Sequence, residues 1–126
     1  MPSIAATLCD LTKAHWRNPE QVNQGDCWLW ALKAQILVGG RVQCADWPEG
    51  GGHAFLSLDG KFYDSEAPDG VHRCQELRCF AAYEKGELKR ARTMTLKRFL
   101  AENAWNHESE DYCEQRLADL GIKEHR

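Results

Sequence analysis

The first apolar pattern in the chain is that of a helix. Ile4, Leu8 and Leu11 recur at a spacing that places them on one helix face. Ser3 stands before them as the expected N-cap, and Pro19 prevents the helix from continuing. We therefore predict a helix over residues 4–15, followed by a loop over residues 18–25.

The second apolar stretch has no polar face. The segment "CWLWALKAQIL", residues 27–37, is apolar on nearly all sides, up to and including Ile36 and Leu37. A helix with this pattern is expected in the middle of a core. Asp26 precedes it as the expected N-cap, and the glycines at residues 39–40 end it. The pattern predicts a central buried helix.

Short alternating runs then predict antiparallel strands. The first run is "RVQCADW", residues 41–47, and the clearest is "HAFLSLDGKFYDSE", residues 53–66. Inside the latter, two runs meet at an Asp-Gly pair, residues 59–60, which is typical of a tight β-hairpin. Counting outward from that turn, we expect Leu58 to lie opposite Lys61.

The C-terminal half has weaker patterns. Residues 67–71, "APDGV", are expected to turn the chain away from the hairpin. Residues 74–83, "CQELRCFAAY", predict either a short helix or a helix followed by a strand. Two further helices are predicted, one capped by Thr95 and one that is capped by Ser109 and ends before Gly121.

The order of the elements and the composition indicate one α+β domain, residues 1–126. Helices precede and follow an antiparallel sheet and do not alternate with its strands. An apolar content of 43% with 28% charged residues is typical of a globular protein. The net charge of −3 gives no reason to expect a nucleic-acid partner. We expect the basic run over residues 89–98 to be a solvated surface.

The apolar runs and the cysteines of the chain both bear on its localisation. No apolar run approaches the roughly 18 residues that a membrane span needs, and the start of the chain has no leader pattern. We therefore expect no membrane partner and a cytoplasmic protein whose six cysteines stay reduced. Metal-binding candidates are His72, Cys74 and Cys79, with Cys44, but the spacing H-x-C-x4-C matches no established zinc pattern. The sequence thus predicts neither a metal nor a cofactor.

One cysteine has the surroundings of a nucleophile. Cys27 stands at the first turn of the central helix, where unpaired backbone N–H groups and the helix dipole favour a thiolate. Such a nucleophile needs a base, and the base needs a group that orients it. In the predicted hairpin register, His53 and Asp64 lie on the same side and diagonal to each other. Glu66, directly opposite His53, is the alternative carboxylate.

The remaining requirement is a donor for the oxyanion that forms when a thiolate attacks a carbonyl. The side-chain amide of Gln21 or of Gln24 is a candidate for one donor, and the backbone N–H of Cys27 for a second. Gln24 is closer to the cysteine in sequence, so the residues alone leave this choice open.

These motifs resemble those of papain-like cysteine peptidases. The pattern "Q-x-x-x-G-D-C-W-L-x-A", residues 21–31, resembles the start of their active site, and the calpain branch most closely. "GHAF", residues 52–55, resembles their histidine strand, and "DGKFYDSEAP", residues 59–68, their third site. Papain and calpain have asparagine at that third site, whereas the order Cys, His, Asp is typical of transglutaminase-like and bacterial toxin-type members. The resemblance covers residues 21–71, and its glutamine spacing implies Gln21 as the oxyanion donor.

The resemblance implies a minimal papain-like core, with a central helix packed on a small antiparallel sheet and extra C-terminal helices. Only 26 positions separate Cys27 from His53, far fewer than in papain, which is typical of small bacterial and phage proteins of this kind. The implied function is that of a small cysteine hydrolase: a peptidase, isopeptidase, amidase or deamidase. It would act on a protein or peptide through a Cys27–His53–Asp64 triad and an acyl-thioester intermediate.

A second interpretation is a catalytically silent papain-fold binding protein, such as a phage-type inhibitor of a host protein in the host cytoplasm. The short chain favours it, because the usual second lobe and most of the substrate cleft are missing or rebuilt. The set of Cys27, His53, Asp64 and Gln21 favours the enzyme, since a binding protein has no need of all four. The sequence does not indicate an oligomeric state.

Overall fold

The computed structural model describes residues 2–83, 87–88, 90–102 and 110–123. In that part of the chain the fold is α+β, as predicted, with five helices and one five-stranded antiparallel sheet. The helices are α1 (Ile4–His15), α2 (Pro19–Val22), α3 (Cys27–Val38), α4 (Leu96–Ala101) and α5 (Glu110–Asp119). The strands are β1 (Arg41–Asp46), β2 (Gly52–Leu58), β3 (Lys61–Asp64), β4 (Ala67–Val71) and β5 (Arg92–Thr93).

The first two helices begin at side-chain caps. Helix α1 has the predicted bounds, and Ser3 Oγ accepts a hydrogen bond from the N–H of Ala6 at 3.0 Å. The predicted loop after it contains α2, so that part of the prediction is wrong. Pro19 occupies the first position of α2, where a fixed φ favours a helix. Asn18 Oδ1 caps the turn by accepting the N–H of Gln21 at 2.8 Å.

Helix α3 is the central helix, as predicted, but its cap and its last turn differ from the prediction. The carboxylate of Asp26 makes no cap hydrogen bond, because it turns into the core and accepts the indole N–H of Trp16 at 2.8 Å. The buried part of α3 ends at Ala34. Ile36 and Leu37, predicted to be buried, are 58% and 45% exposed, since the last turn packs on the core only through Val38 among the described contacts.

The sheet has the strand order β4-β3-β2-β1-β5, with every described pair antiparallel. Leu58 pairs with Lys61 across the β2–β3 turn, which confirms the predicted register. Residues 67–71 were predicted to turn the chain away from the hairpin, and this prediction is wrong: they form β4, which pairs with β3. The turn between these strands is tight because Asp64 Oδ1 accepts the N–H of Glu66 at 3.0 Å.

The two faces of the sheet pack against different layers. One face, which carries Val42, Ala54 and Leu56, packs with α1 and α3 in the larger core cluster. The other face packs its Phe55 against two 3₁₀ turns, Cys74–Glu76 and Arg78–Phe80. These turns replace the helix or helix and strand that were predicted for residues 74–83. Leu77, the extended residue between the two turns, and Phe80 are both buried in the smaller core cluster.

The C-terminal caps largely follow the sequence. Thr95 Oγ1 accepts the N–H of Arg98 at 3.1 Å, which confirms the predicted start of α4. Gly121 follows α5 with a φ of 67°, also as predicted. The predicted cap Ser109 lies outside the described residues. Among the residues that the structure describes, no helix combines the length and the apolar composition of a membrane span.

Candidate active site

Strands β2 and β3 bring together a buried histidine and a buried carboxylate. His53 Nε2 lies 2.9 Å from Asp64 Oδ2, and each side chain is 1% exposed. The second oxygen of Asp64 accepts the backbone N–H of Glu66, so the carboxylate is held at both oxygens. Glu66, the alternative in the sequence, instead accepts hydrogen bonds from Asn23 at 2.7 Å and Arg78 at 3.0 Å. The structure therefore pairs His53 with Asp64.

The 3₁₀ turn at Arg78–Phe80 covers this pair. The ring of Phe80 meets the imidazole of His53 edge to face, with 5.4 Å between the ring centres. Cys79 Sγ lies within 4.8 Å of both a His53 ring nitrogen and an Asp64 oxygen. Sequence reasoning missed this third neighbour, since no spacing rule predicts which way a residue of an isolated 3₁₀ turn will face.

Cys27 is the first residue of α3, and it meets β2 beside the histidine. Its Sγ accepts the backbone N–H of Ala54 at 3.4 Å, and Ala54 directly follows His53 in the strand. The Cys27 thiol also lies close enough to the imidazole to raise the pKa of His53. Because Nε2 is engaged by Asp64, Nδ1 is the nitrogen left for proton exchange with a thiol. Strand β2 thus brings Cys27 beside His53, and the contact between His53 and Asp64 adds the carboxylate to this group.

The electrostatics of the histidine have opposing causes. Burial lowers the pKa of His53, but its hydrogen bond to Asp64 and the proximity of Cys27 and Cys79 outweigh that effect. The resulting pKa lies above the ordinary value for a histidine.

A glycine permits the close packing at this point of the sheet. Gly52 directly precedes His53 and pairs with Asp46 of β1. A Cβ at Gly52 would lie 2.6 Å from Asp46 Oδ1 and 2.9 Å from the carbonyl oxygen of Ala45. Any side chain there would push β2 away from β1, and His53 with it. The glycine of the "GHAF" motif therefore has a structural reason in this chain.

Cys27 and His53 line one open cleft of about 580 Å³. Its apolar wall includes Trp28 and Phe99, whose ring centres are 5.7 Å apart, and Trp47 lies on the rim. A cleft of this volume is in the range of small-molecule and peptide side-chain sites. Such a cleft was not predicted, because its walls come from segments far apart in the sequence.

A cluster of three charged residues forms another part of the cleft wall. Arg92 donates to Asp46 Oδ2 at 2.6 Å and to Glu102 Oε1 at 2.8 Å, and all three residues line the cleft. The contacts join β1 to the segment around α4. Sequence reasoning grouped Arg92 with a solvated basic run and did not consider either carboxylate, because the pairs are 46 and 10 residues apart.

The two candidate glutamines occupy different places. Gln24 lines the cleft with Cys27, whereas Gln21 is absent from its lining. Gln21 Oε1 instead accepts the backbone N–H of Arg17 at 2.7 Å. The unpredicted helix α2 thus turns Gln21 toward the end of α1, and Gln24 is the candidate glutamine that lines the cleft.

The other cysteines near the site differ from Cys27. Cys44 lines the same cleft but is buried, and burial followed by the proximity of Cys27 raises the pKa of Cys44 to about 12. This thiol therefore stays protonated and is a poor nucleophile. His72 is exposed, and Cys74 packs at the edge of the smaller core cluster. The four metal-binding candidates in the sequence do not form a cluster among the described residues.

Comparisons with known proteins give no relative for this chain. No protein-family model, no curated protein and no solved structure matches it. The interpretation of the site therefore depends on its own geometry and chemistry.

Proposed function

We propose that the protein is a small cysteine hydrolase in which Cys27 forms an acyl-thioester with its substrate. One observation carries the proposal: a buried His53–Asp64 pair meets the cysteine at the N-terminus of a central helix, inside an open cleft. Nucleophile, base and orienting group are the three parts that covalent catalysis by cysteine requires. The resemblance of the surrounding motifs to papain-like cysteine peptidases supports the same function.

The acylation step follows from these contacts. His53 takes the proton of the Cys27 thiol, and the sulfur electron pair attacks the carbonyl carbon of an amide or thioester. In this proposal the backbone N–H of Cys27 and the side-chain amide of Gln24, which both line the cleft, donate to the oxyanion. When the tetrahedral intermediate collapses, the bond to the leaving group breaks, and the leaving amine or thiol receives its proton from His53.

The deacylation step uses the same groups in reverse order. His53 takes a proton from water, the hydroxide attacks the thioester carbonyl, and Cys27 leaves as the thiolate. Asp64 keeps the imidazole oriented through both steps by its hydrogen bond to Nε2. Peptide, isopeptide and side-chain amide bonds share this chemistry, so we propose a protein or peptide substrate. We place the activity in the cytoplasm, where the thiol remains reduced.

An activated acyl substrate tests this proposal without knowledge of the natural one. We expect wild type to hydrolyse a peptide thioester and to show an acyl adduct on Cys27 by intact-mass and peptide mass spectrometry. Cys27→Ser and His53→Ala should each lose the enzymatic rate. Gln24→Ala should lower kcat/KM by about 10²–10³-fold, the usual cost of one oxyanion donor.

Gln21→Ala is the matched control, because it removes the same amide three residues away and outside the cleft lining. Its kcat/KM should stay near that of wild type. Hydrolysis that survives Cys27→Ser would contradict the proposal. A wild-type chain that forms no adduct at all would favour the silent binding protein.

A further inference from the structure

We propose that Cys79, His53 and Asp64 form a zinc-binding site. The Cys79 sulfur, a His53 ring nitrogen and an Asp64 carboxylate oxygen all lie within 4.8 Å of one another. They come from three elements, a 3₁₀ turn, β2 and β3, that are separated by 11 to 26 residues along the chain. This group differs from the H-x-C-x4-C pattern in the sequence, with which it shares only Cys79.

The donor set matches the chemistry of zinc. Zinc prefers sulfur, imidazole nitrogen and carboxylate oxygen at about 2.0–2.3 Å, which places neighbouring tetrahedral ligand atoms roughly 3.3–3.6 Å apart. The nitrogen and oxygen now lie 2.9 Å apart, so small side-chain rotations suffice to admit the ion. The thiol makes calcium and magnesium poor occupants, since both prefer oxygen ligands. Three protein ligands leave a fourth position for water or another donor.

The three proposed ligands differ in burial, and this difference leaves one side of the site open to a metal ion. His53 and Asp64 are each 1% exposed, so their donor atoms are shielded from water once an ion is bound. Cys79 is half-buried and therefore lies on the side from which an ion can enter. Its backbone carbonyl accepts the indole N–H of Trp47 at 3.1 Å, which anchors the 3₁₀ turn over the pair.

Bound zinc would stop the reaction proposed above, and this consequence rests on the proposed function. If the ion binds Nε2, which now contacts Asp64, the remaining imidazole proton lies on Nδ1, and His53 can no longer accept the Cys27 proton. The site would thus make the hydrolase reversibly sensitive to free zinc. Zinc binding itself needs no catalytic activity, so the two proposals can fail separately.

Titration of Cys27→Ser with cobalt(II) and then zinc tests the binding site directly. This variant lacks the proposed nucleophile, so the result does not depend on turnover. We expect one cobalt ion per chain, with a thiolate-to-cobalt charge-transfer band and the strong visible bands of a tetrahedral ion, and we expect zinc to displace it. Adding Cys79→Ala should remove the charge-transfer band and weaken zinc binding by more than about 100-fold, because even losing an outer hydrogen-bond partner costs about 10–100-fold.

Cys74→Ala, added to the same Cys27→Ser background, is the matched control. It removes another half-buried thiol five residues away, from the neighbouring 3₁₀ turn. Binding and spectrum should be unchanged in this variant. Asp64→Asn in the same background should weaken zinc binding while keeping the charge-transfer band, which separates loss of a ligand from loss of the fold. A charge-transfer band that survives Cys79→Ala, or no stoichiometric binding in Cys27→Ser, would overturn the proposed site.

Discussion

At the scale of single residues, the two oxygens of Asp64 decide how the site is built. One oxygen accepts from His53, and the other accepts the backbone N–H of the turn that starts β4. The same carboxylate therefore fixes the base and the strand connection. Glu66, two residues on, accepts hydrogen bonds from Asn23 and Arg78 instead of from the histidine.

Substitution of the two carboxylates should have very different effects on stability. Asp64→Ala leaves a buried imidazole without its partner, and we expect the free energy of unfolding to fall by about 3–5 kcal/mol at neutral pH. Glu66→Gln keeps the hydrogen-bonding shape and breaks an ion pair whose Arg78 side chain is 74% exposed, so we expect a loss below about 1 kcal/mol. Urea denaturation of metal-free protein measures both. Equal losses in the two variants would contradict the special role of Asp64.

Residue-scale prediction from the sequence succeeded where local rules apply. The Asp-Gly turn fixes the register of β2 and β3, and the two-residue period of a strand then places His53 and Asp64 on the same side. The choice between Gln21 and Gln24 could not be made in this way. It depends on the single-turn helix α2, which is capped by Asn18 and turns Gln21 toward the end of α1.

At the scale of elements, α3 is the helix that carries Cys27, the proposed nucleophile. It packs against α1 on one side and against β2 on the other, and its first residue is Cys27. Residues 28–34 supply most of its buried surface. Stability of the helix and position of the thiol are therefore linked.

Truncation of two leucines in α3 should separate its buried part from its exposed last turn. Leu29 is fully buried, and we expect Leu29→Ala to lower the free energy of unfolding by about 2–5 kcal/mol. Leu37→Ala removes the same side chain from a position that is 45% exposed, so the expected loss is under about 1 kcal/mol. Chemical denaturation of both variants gives the comparison. A large loss for Leu37→Ala would mean that the last turn is covered in solution.

Elements with their own local signals were predictable, and elements that depend on distant partners were not. Helix α1 follows from Ser3 and its apolar spacing, and the β2–β3 hairpin follows from its turn. Strand β4 has little strand character in its own sequence, since "APDGV" contains proline, aspartate and glycine. It forms a strand because its backbone pairs with that of β3. Ile36 and Leu37 are exposed for a comparable reason, since no element of the described chain covers them.

At the scale of the whole molecule, the candidate site draws its residues from both sides of the sheet. Cys27 belongs to the helix layer, whereas His53 and Asp64 lie on the sheet side covered by the 3₁₀ turns. The walls of the cleft come from the segments around residues 23–28, 44–54 and 92–102. Patterns along the chain indicated the candidate residues, but only tertiary packing brings these three segments together.

The central claim is that His53 activates Cys27, and the rate of iodoacetamide labelling at each cysteine tests it most directly. Metal-free wild type and His53→Ala are labelled at neutral pH, and each site is followed by peptide mass spectrometry. Cys9, half-buried on α1, serves as the internal control, since it lies outside the cleft lining. We predict that Cys27 reacts fastest in wild type and loses this advantage in His53→Ala. Labelling of Cys27 no faster than Cys9, or at a rate that His53→Ala does not change, would contradict the account.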